Sequence, residues 1–206
     1  MNGGKLTIML GPMFSGKTSA ILRKLSQFVE MGLNALYINH GLDTRTGEKY
    51  STHSKLIQHG ELGIPGIKVT DLNSIDLELL IEADAIAIDE AQFFENELVE
   101  FVANLVDKYD KYVLVAGLDG SYKRHKIGHV LDLIPYADNV TKLHAYCKQC
   151  SGRTKALQTA LFTHYNGDSK DIINVGGAEQ YEAVCRKCYL KLNNNDENLL
   201  RLTLVK

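Results

Sequence analysis

Apolar residues alternate between short unbroken runs and helical spacing. Lys5-Leu6-Thr7-Ile8-Met9-Leu10 reads as a short buried strand. Ile21, Leu25, Phe28 and Val29 then fall on one helical face, with Gly32 placed to cap its C-terminus. Asn34 to Asn39 predicts a second strand, Ile67 to Thr70 a weak third, and Ile75 to Ala83 a helix. Ala85-Ile86-Ala87-Ile88 is a further buried strand that ends in two carboxylates, Asp89 and Glu90. Leu98, Phe101, Val102 and Leu105 mark a helix face, read as core rather than as a binding surface, and Tyr112 to Leu118 is another buried strand. Strands and helices alternating in this way predict an α/β fold on a largely parallel sheet.

Chemistry enters at the first strand–helix junction. Gly11-Pro12-Met13-Phe14-Ser15-Gly16-Lys17-Thr18 matches Gly, four residues, Gly-Lys-Ser/Thr. Between a strand and a helix, such a loop aims backbone N–H groups and a helix N-terminus at one point, where phosphate oxygens are held. Lys17 is expected to reach the β and γ phosphates and the Thr18 hydroxyl to hold Mg²⁺. Asp89, at the end of its strand, is expected to help hold the same ion, leaving Glu90 as a candidate general base. Two segments stay open. The polar stretch His40 to Ser54 is either a solvated loop or a substrate-facing one at a strand's C-terminal end. The basic cluster Ser121 to Lys126 is either solvated or turned toward a nucleotide.

Bulk composition narrows the class. The chain has 206 residues, 45% of them apolar, which suits one domain or one domain plus a small module. A net charge of −2 argues against a general nucleic-acid binder. No apolar run approaches ~18 residues and no signal peptide opens the chain, so a soluble cytoplasmic protein off the membrane is expected. In a reducing compartment the four cysteines are better ligands than disulfides. All four follow residue 146. Cys147-x-x-Cys150 and Cys185-x-x-Cys188 match a tetrahedral four-thiolate zinc site, which is structural because four thiolates leave no open position. Redox-active pairs are disfavoured, since no thioredoxin-like context surrounds either. Residues 151–184 separate the pairs, a longer excursion than common zinc ribbons carry, and a metal would pin both its ends. Within it Asn174-Val175-Gly176-Gly177 reads as a plain hairpin turn or as a close backbone approach to a ligand.

Taken together these segments resemble the type II (cellular and poxvirus-like) thymidine kinase family. The pieces that carry the resemblance are 11–18, Asp43-Thr44-Arg45, Ile88-Asp89-Glu90-Ala91-Gln92-Phe93-Phe94, Gly117-Leu118-Asp119-Gly120, both cysteine pairs, and 175–181. The resemblance implies a RecA-like phosphate-loop domain over 1–143 and a small zinc-ribbon-like domain over 144–192 whose lasso closes over a nucleoside. A tail over 193–206 would then be short, without regulatory extensions. It further implies ATP as donor, thymidine as acceptor, Mg²⁺ and structural Zn²⁺, a homotetramer, and feedback inhibition by thymidine triphosphate. By resemblance Glu90 takes the proton from the 5′-hydroxyl, Arg45 lies near the transferred phosphate, and Asp43 stands beside it. Met13, Phe93, Leu118, Tyr122, Thr163 and Tyr181 match positions around the base and sugar, with backbone groups of Val175, Gly176 and Gly177. Thr46, Tyr122, Ile127 and Asn174 depart from common family residues, which touches substrate preference rather than the reaction. Two rivals remain at this point: another phosphate-loop nucleoside kinase, and a zinc-ribbon ATPase that binds nucleic acid.

Overall fold

A computed structural model of the chain describes residues 3–43, 64–154, 157–167 and 177–193. Six strands form one sheet: β1 (Lys5–Gly11), β2 (Ala35–His40), β3 (Gly66–Val69), β4 (Ala85–Asp89), β5 (Tyr112–Leu118) and β6 (Asn139–Lys142). Their order is β3-β2-β4-β5-β1-β6, and every neighbouring pair is parallel. Strand β5 therefore sits between the strand that feeds the phosphate loop and the strand that ends in the acids. All C-terminal ends lie along one edge, where an open α/β sheet binds its ligands.

The two faces of the sheet follow from side-chain alternation. On one face Leu6, Ile8, Leu36, Ile38, Ile86, Ile88, Val113 and Val115 pack against α3 (Glu97–Asp107) through Leu98, Val102 and Leu105. On the other, the strands present Met9, Tyr37, Ala85, Ala87, Leu114 and Ala116 to α1 (Lys17–Glu30), which inserts Ile21, Leu22 and Leu25. The small alanines let α1 lie close over β4 and β5. Helix α1 ends as its sequence predicts. Gly32 adopts φ +81 just past the cap, and the Leu33 N–H reaches the Phe28 carbonyl at 3.1 Å, a Schellman-type closure.

Two predicted elements shift. The helix read over Ile75 to Ala83 is a 3-10 turn, Leu72–Ser74, followed by α2 (Leu77–Glu82). The Asp71 and Asp76 side chains each accept an N–H two residues ahead, so each starts its own short segment. Strand β6 was not expected from the pattern, because all four of its side chains are exposed; its pairing with β1 alone defines it.

After β6 the chain builds a separate small core of Ala145, Cys147, Ala160, Ala183, Val184, Cys185 and Tyr189. It contains the antiparallel pair β7 (Ala145–Tyr146) and β8 (Thr159–Ala160), and the antiparallel pair β9 (Phe162–Tyr165) and β10 (Tyr181–Val184). Two short helices, α4 (Lys148–Thr154) and α5 (Arg186–Asn193), each carry the second cysteine of a pair. Among the described residues no helix is long and apolar enough to cross a membrane.

Candidate active site and zinc centre

The phosphate loop leaves β1 at Gly11, where φ is +155 and an added Cβ would lie 2.5 Å from the Leu143 carbonyl oxygen. No side chain larger than hydrogen fits there. Gly16, in a left-handed conformation, is the N-cap of α1; no side chain caps the helix and its first turn carries no acid. A helix start without acid suits an anion rather than a self-capped end. The Lys17 ammonium is buried and donates to the Pro12 carbonyl at 2.9 Å, and the Ser15 hydroxyl donates to the same oxygen at 2.8 Å.

Asp89 is buried at the end of β4. One carboxylate oxygen accepts the Tyr37 hydroxyl and the other the Glu90 N–H, both at 2.8 Å, and the Thr18 side chain also bonds it. Its pKa is raised to about 6, first by burial and then by the charge of Glu90, against the lowering effect of these hydrogen bonds. A buried acid beside a second acid is a site that a cation relieves. The hydroxyl of Thr18 and the carboxylate of Asp89, already in contact, are hard oxygen donors of the kind Mg²⁺ takes.

Directly after β4 the backbone turns left-handed at Glu90, φ 51, which takes its side chain off the strand's alternation. Glu90 is buried, and its Oε2 accepts the Gln92 amide N–H at 2.5 Å. Asp43 is also buried and accepts from the Asn39 side chain at 3.1 Å. His40 packs edge-on to Phe94, with ring centroids 4.6 Å apart, and burial holds its pKa below the ordinary value.

The small domain reaches this edge through hydrogen bonds and ring contacts. The Met13 N–H donates to Thr163 Oγ1 at 3.0 Å, joining the phosphate loop to β9. The Tyr189 hydroxyl donates to the Tyr122 carbonyl at 2.7 Å. Tyr122, Tyr165 and Tyr181 form a row, with centroids 5.2 and 5.0 Å apart. The basic cluster has a structural share in this joint. Arg124 lies over the Tyr189 ring at 4.7 Å, whereas Lys126 pairs with Asp132 at 2.5 Å within the α/β domain.

The four cysteine sulfurs lie within 4.8 Å of one another, with Cys150 to Cys188 at 3.7 Å and Cys150 to Cys185 at 3.9 Å. All four are free thiols. Zinc–sulfur bonds of ~2.3 Å in a tetrahedron require sulfur–sulfur edges of ~3.8 Å, so this donor set fits Zn²⁺.

Comparison with known proteins places the arrangement. A family model described as thymidine kinase matches residues 4–189. The thymidine kinase of Yaba monkey tumor virus (strain VR587) is 39% identical over 191 residues, 93% of this chain and 97% of the viral one. Thymidine kinase a of Arabidopsis thaliana is 39% identical over 192 residues, 91% of this chain and 75% of its own. The cytosolic thymidine kinase of Homo sapiens is 34% identical over 188 residues, 91% and 74% respectively.

The chain belongs to the thymidine kinase family.

Its expected site residues can now be placed. Met13, Thr163, Tyr122 and Tyr181, distant in sequence, meet where the small domain joins the phosphate loop, and Thr18 meets Asp89. Leu118 is tied instead to the turn after β4, its backbone N–H donating to the Gln92 side chain at 3.0 Å. Phe93 packs toward His40 at 5.6 Å between centroids, and the Gly177 N–H is held by Glu179 at 2.6 Å. Arg45, Val175 and Gly176 lie outside the described residues. Three residues that bond the expected site residues carried no separate expectation: Tyr37, Asn39 and Gln92. A phenol in the middle of a buried strand needs a hydrogen-bond partner, and that was the available signal for Tyr37. Asn39 and Gln92 gave none on their own.

Proposed function

We propose that this chain transfers the γ-phosphate of ATP to the 5′-hydroxyl of thymidine, giving thymidine monophosphate. The observation that carries the reading is the meeting of Lys17, Thr18, Asp89 and Glu90 on one sheet edge, in a chain of the thymidine kinase family.

Phosphoryl transfer asks mainly for positioning and charge neutralisation. The amides of 11–18 and the N-terminus of α1 take the donor phosphates. Lys17 exchanges the Pro12 carbonyl for phosphate oxygen. Thr18 and Asp89 would hold magnesium, which when bound would supply positive charge to the donor phosphates. Glu90 accepts the proton of the 5′-hydroxyl as the nucleophile forms. Arg45 adds charge at the transferred group, a role resting on resemblance, with Asp43 beside it. Met13, Phe93, Leu118, Tyr122, Thr163, Val175, Gly176, Gly177 and Tyr181 enclose thymidine, and closure of the lasso keeps water from the transferred group.

Zinc holds the lasso domain, residues 144–192, to its fold and takes no part in the chemistry. A cytoplasmic homotetramer and feedback by thymidine triphosphate belong to the same reading, since one molecule can place its base in the acceptor pocket and its phosphates on the donor loop. The nucleic-acid-binding ATPase gains nothing from Arg124, which lies over the Tyr189 ring in the domain joint, or from Lys126, which is paired with Asp132. The test is transfer of labelled γ-phosphate from ATP across a panel of thymidine, deoxyuridine, deoxycytidine and purine nucleosides. Preferential labelling of thymidine is expected. Preferential labelling of another nucleoside, or DNA-stimulated ATP hydrolysis without transfer, would reject it.

A further inference from the structure

We infer that Gln92 is the positioning residue for Glu90, fixing the orientation of the base's carboxylate against the end of β5. This rests on Glu90 as the proton acceptor proposed above.

Gln92 sits in the 3-10 turn Ala91–Phe93 and is 2% exposed. Its amide spans two elements. Nε2 donates to Glu90 Oε2 at 2.5 Å, and Oε1 accepts the Leu118 N–H at 3.0 Å. The second bond fixes the sense of the first. A backbone N–H can only donate, so the amide oxygen must face β5 and the amide nitrogen must face Glu90. The surroundings are cut to this shape. A Cβ on Gly117 would come within 3.1 Å of Gln92 Oε1 and 2.8 Å of Val130. Gly128, at φ +56, packs its backbone directly on the Gln92 carbonyl. Neither a side chain at 117 nor one at 128 leaves Gln92 where it is.

The consequence is mechanical. A glutamate carboxylate turns easily about its last torsion. Glu90 projects from a left-handed turn rather than from the regular strand, so β4 does not aim it. An amide held at its far end by the sheet backbone removes that freedom. Proton transfer needs the hydroxyl within ~2.6–3.2 Å of the base, and a misplacement of about 1 Å costs on the order of a hundredfold. Gln92 also ties Glu90 to the strand whose following loop carries Tyr122, so base and acceptor pocket share one support.

A double-mutant cycle tests this. In Gln92→Met, kcat for thymidine falls about tenfold to a hundredfold, while KM for thymidine and for ATP stays within about threefold. In a Glu90→Gln background the same substitution lowers the residual kcat less than about twofold, because the group it orients is already gone. Gln92→Leu also removes the donor and adds no charge. It reproduces the loss in kcat, and it carries the same cycle should Gln92→Met fail to fold. Loss of equal size in both backgrounds assigns Gln92 a merely structural role and overturns the inference. So does a Gln92→Met enzyme with kcat within about twofold of wild type. A wild type that transfers no phosphate to thymidine overturns the reading of Glu90 and this inference together, an outcome distinct from either.

Discussion

The adjacent acids Glu90 and Asp89 are given different work in the proposed mechanism, and the backbone separates them. Asp89 ends the strand and points into the α1 side, toward Tyr37 and Thr18. Glu90 turns left-handed and meets Gln92. Glu90→Gln, nearly isosteric, is expected to bind thymidine normally by calorimetry and to lose about a hundredfold to ten-thousandfold in kcat; turnover near wild type removes Glu90 from the base role. Asp89 predicts an effect on stability as well. Its folded pKa of about 6 lies above the ordinary 3.8, because burial and then Glu90 disfavour the charge. Its contribution to stability is therefore fully present below pH 3.8 and lost as pH rises through about 6. Metal-free Asp89→Asn should be more stable than wild type at neutral pH, by up to about 3 kcal/mol, with the gap closing in acid. Thermal melts in chelator across this range read it directly, and a gap independent of pH contradicts it.

Helix α1, the phosphate loop and the β9–β10 hairpin work as a unit because Thr163 holds the Met13 N–H. The hairpin is in turn fixed by the cysteine cluster behind it. Cys185→Ser is expected to raise the thymidine KM before it unfolds the α/β core, visible as a KM increase with the main thermal transition retained. Metal analysis of the wild type should find one zinc per chain, and a zinc-free wild type ends the argument. Strands β1, β4 and β5 were legible in the sequence because strands buried on both faces read as unbroken apolar runs. The phosphate loop was legible because its spacing is fixed by the anion it encloses. Strand β6 was not, since four exposed side chains carry no burial signal and only pairing with β1 makes it a strand. The end of helix α1 was readable from Gly32, whereas the start of α2 was hidden behind two aspartate caps in succession. Within the site, residue types named the acids and the thiols. The partners of Gln92 lie on the adjacent turn and on β5, 26 residues away in sequence, which no local pattern encodes.

In the proposed reading the donor site on the sheet edge and the acceptor site under the small domain meet at Met13, whose N–H donates to Thr163. Thymidine triphosphate, as a molecule able to engage both, is expected to compete with thymidine and ATP together; inhibition against only one of the two contradicts that geometry. Light scattering at working concentration checks the proposed tetramer. The most direct measurement is transfer of labelled γ-phosphate from ATP to thymidine by purified, zinc-loaded protein with magnesium. Labelled thymidine monophosphate, abolished in Glu90→Gln, is the predicted result. Release of inorganic phosphate with no labelled nucleotide would contradict the account.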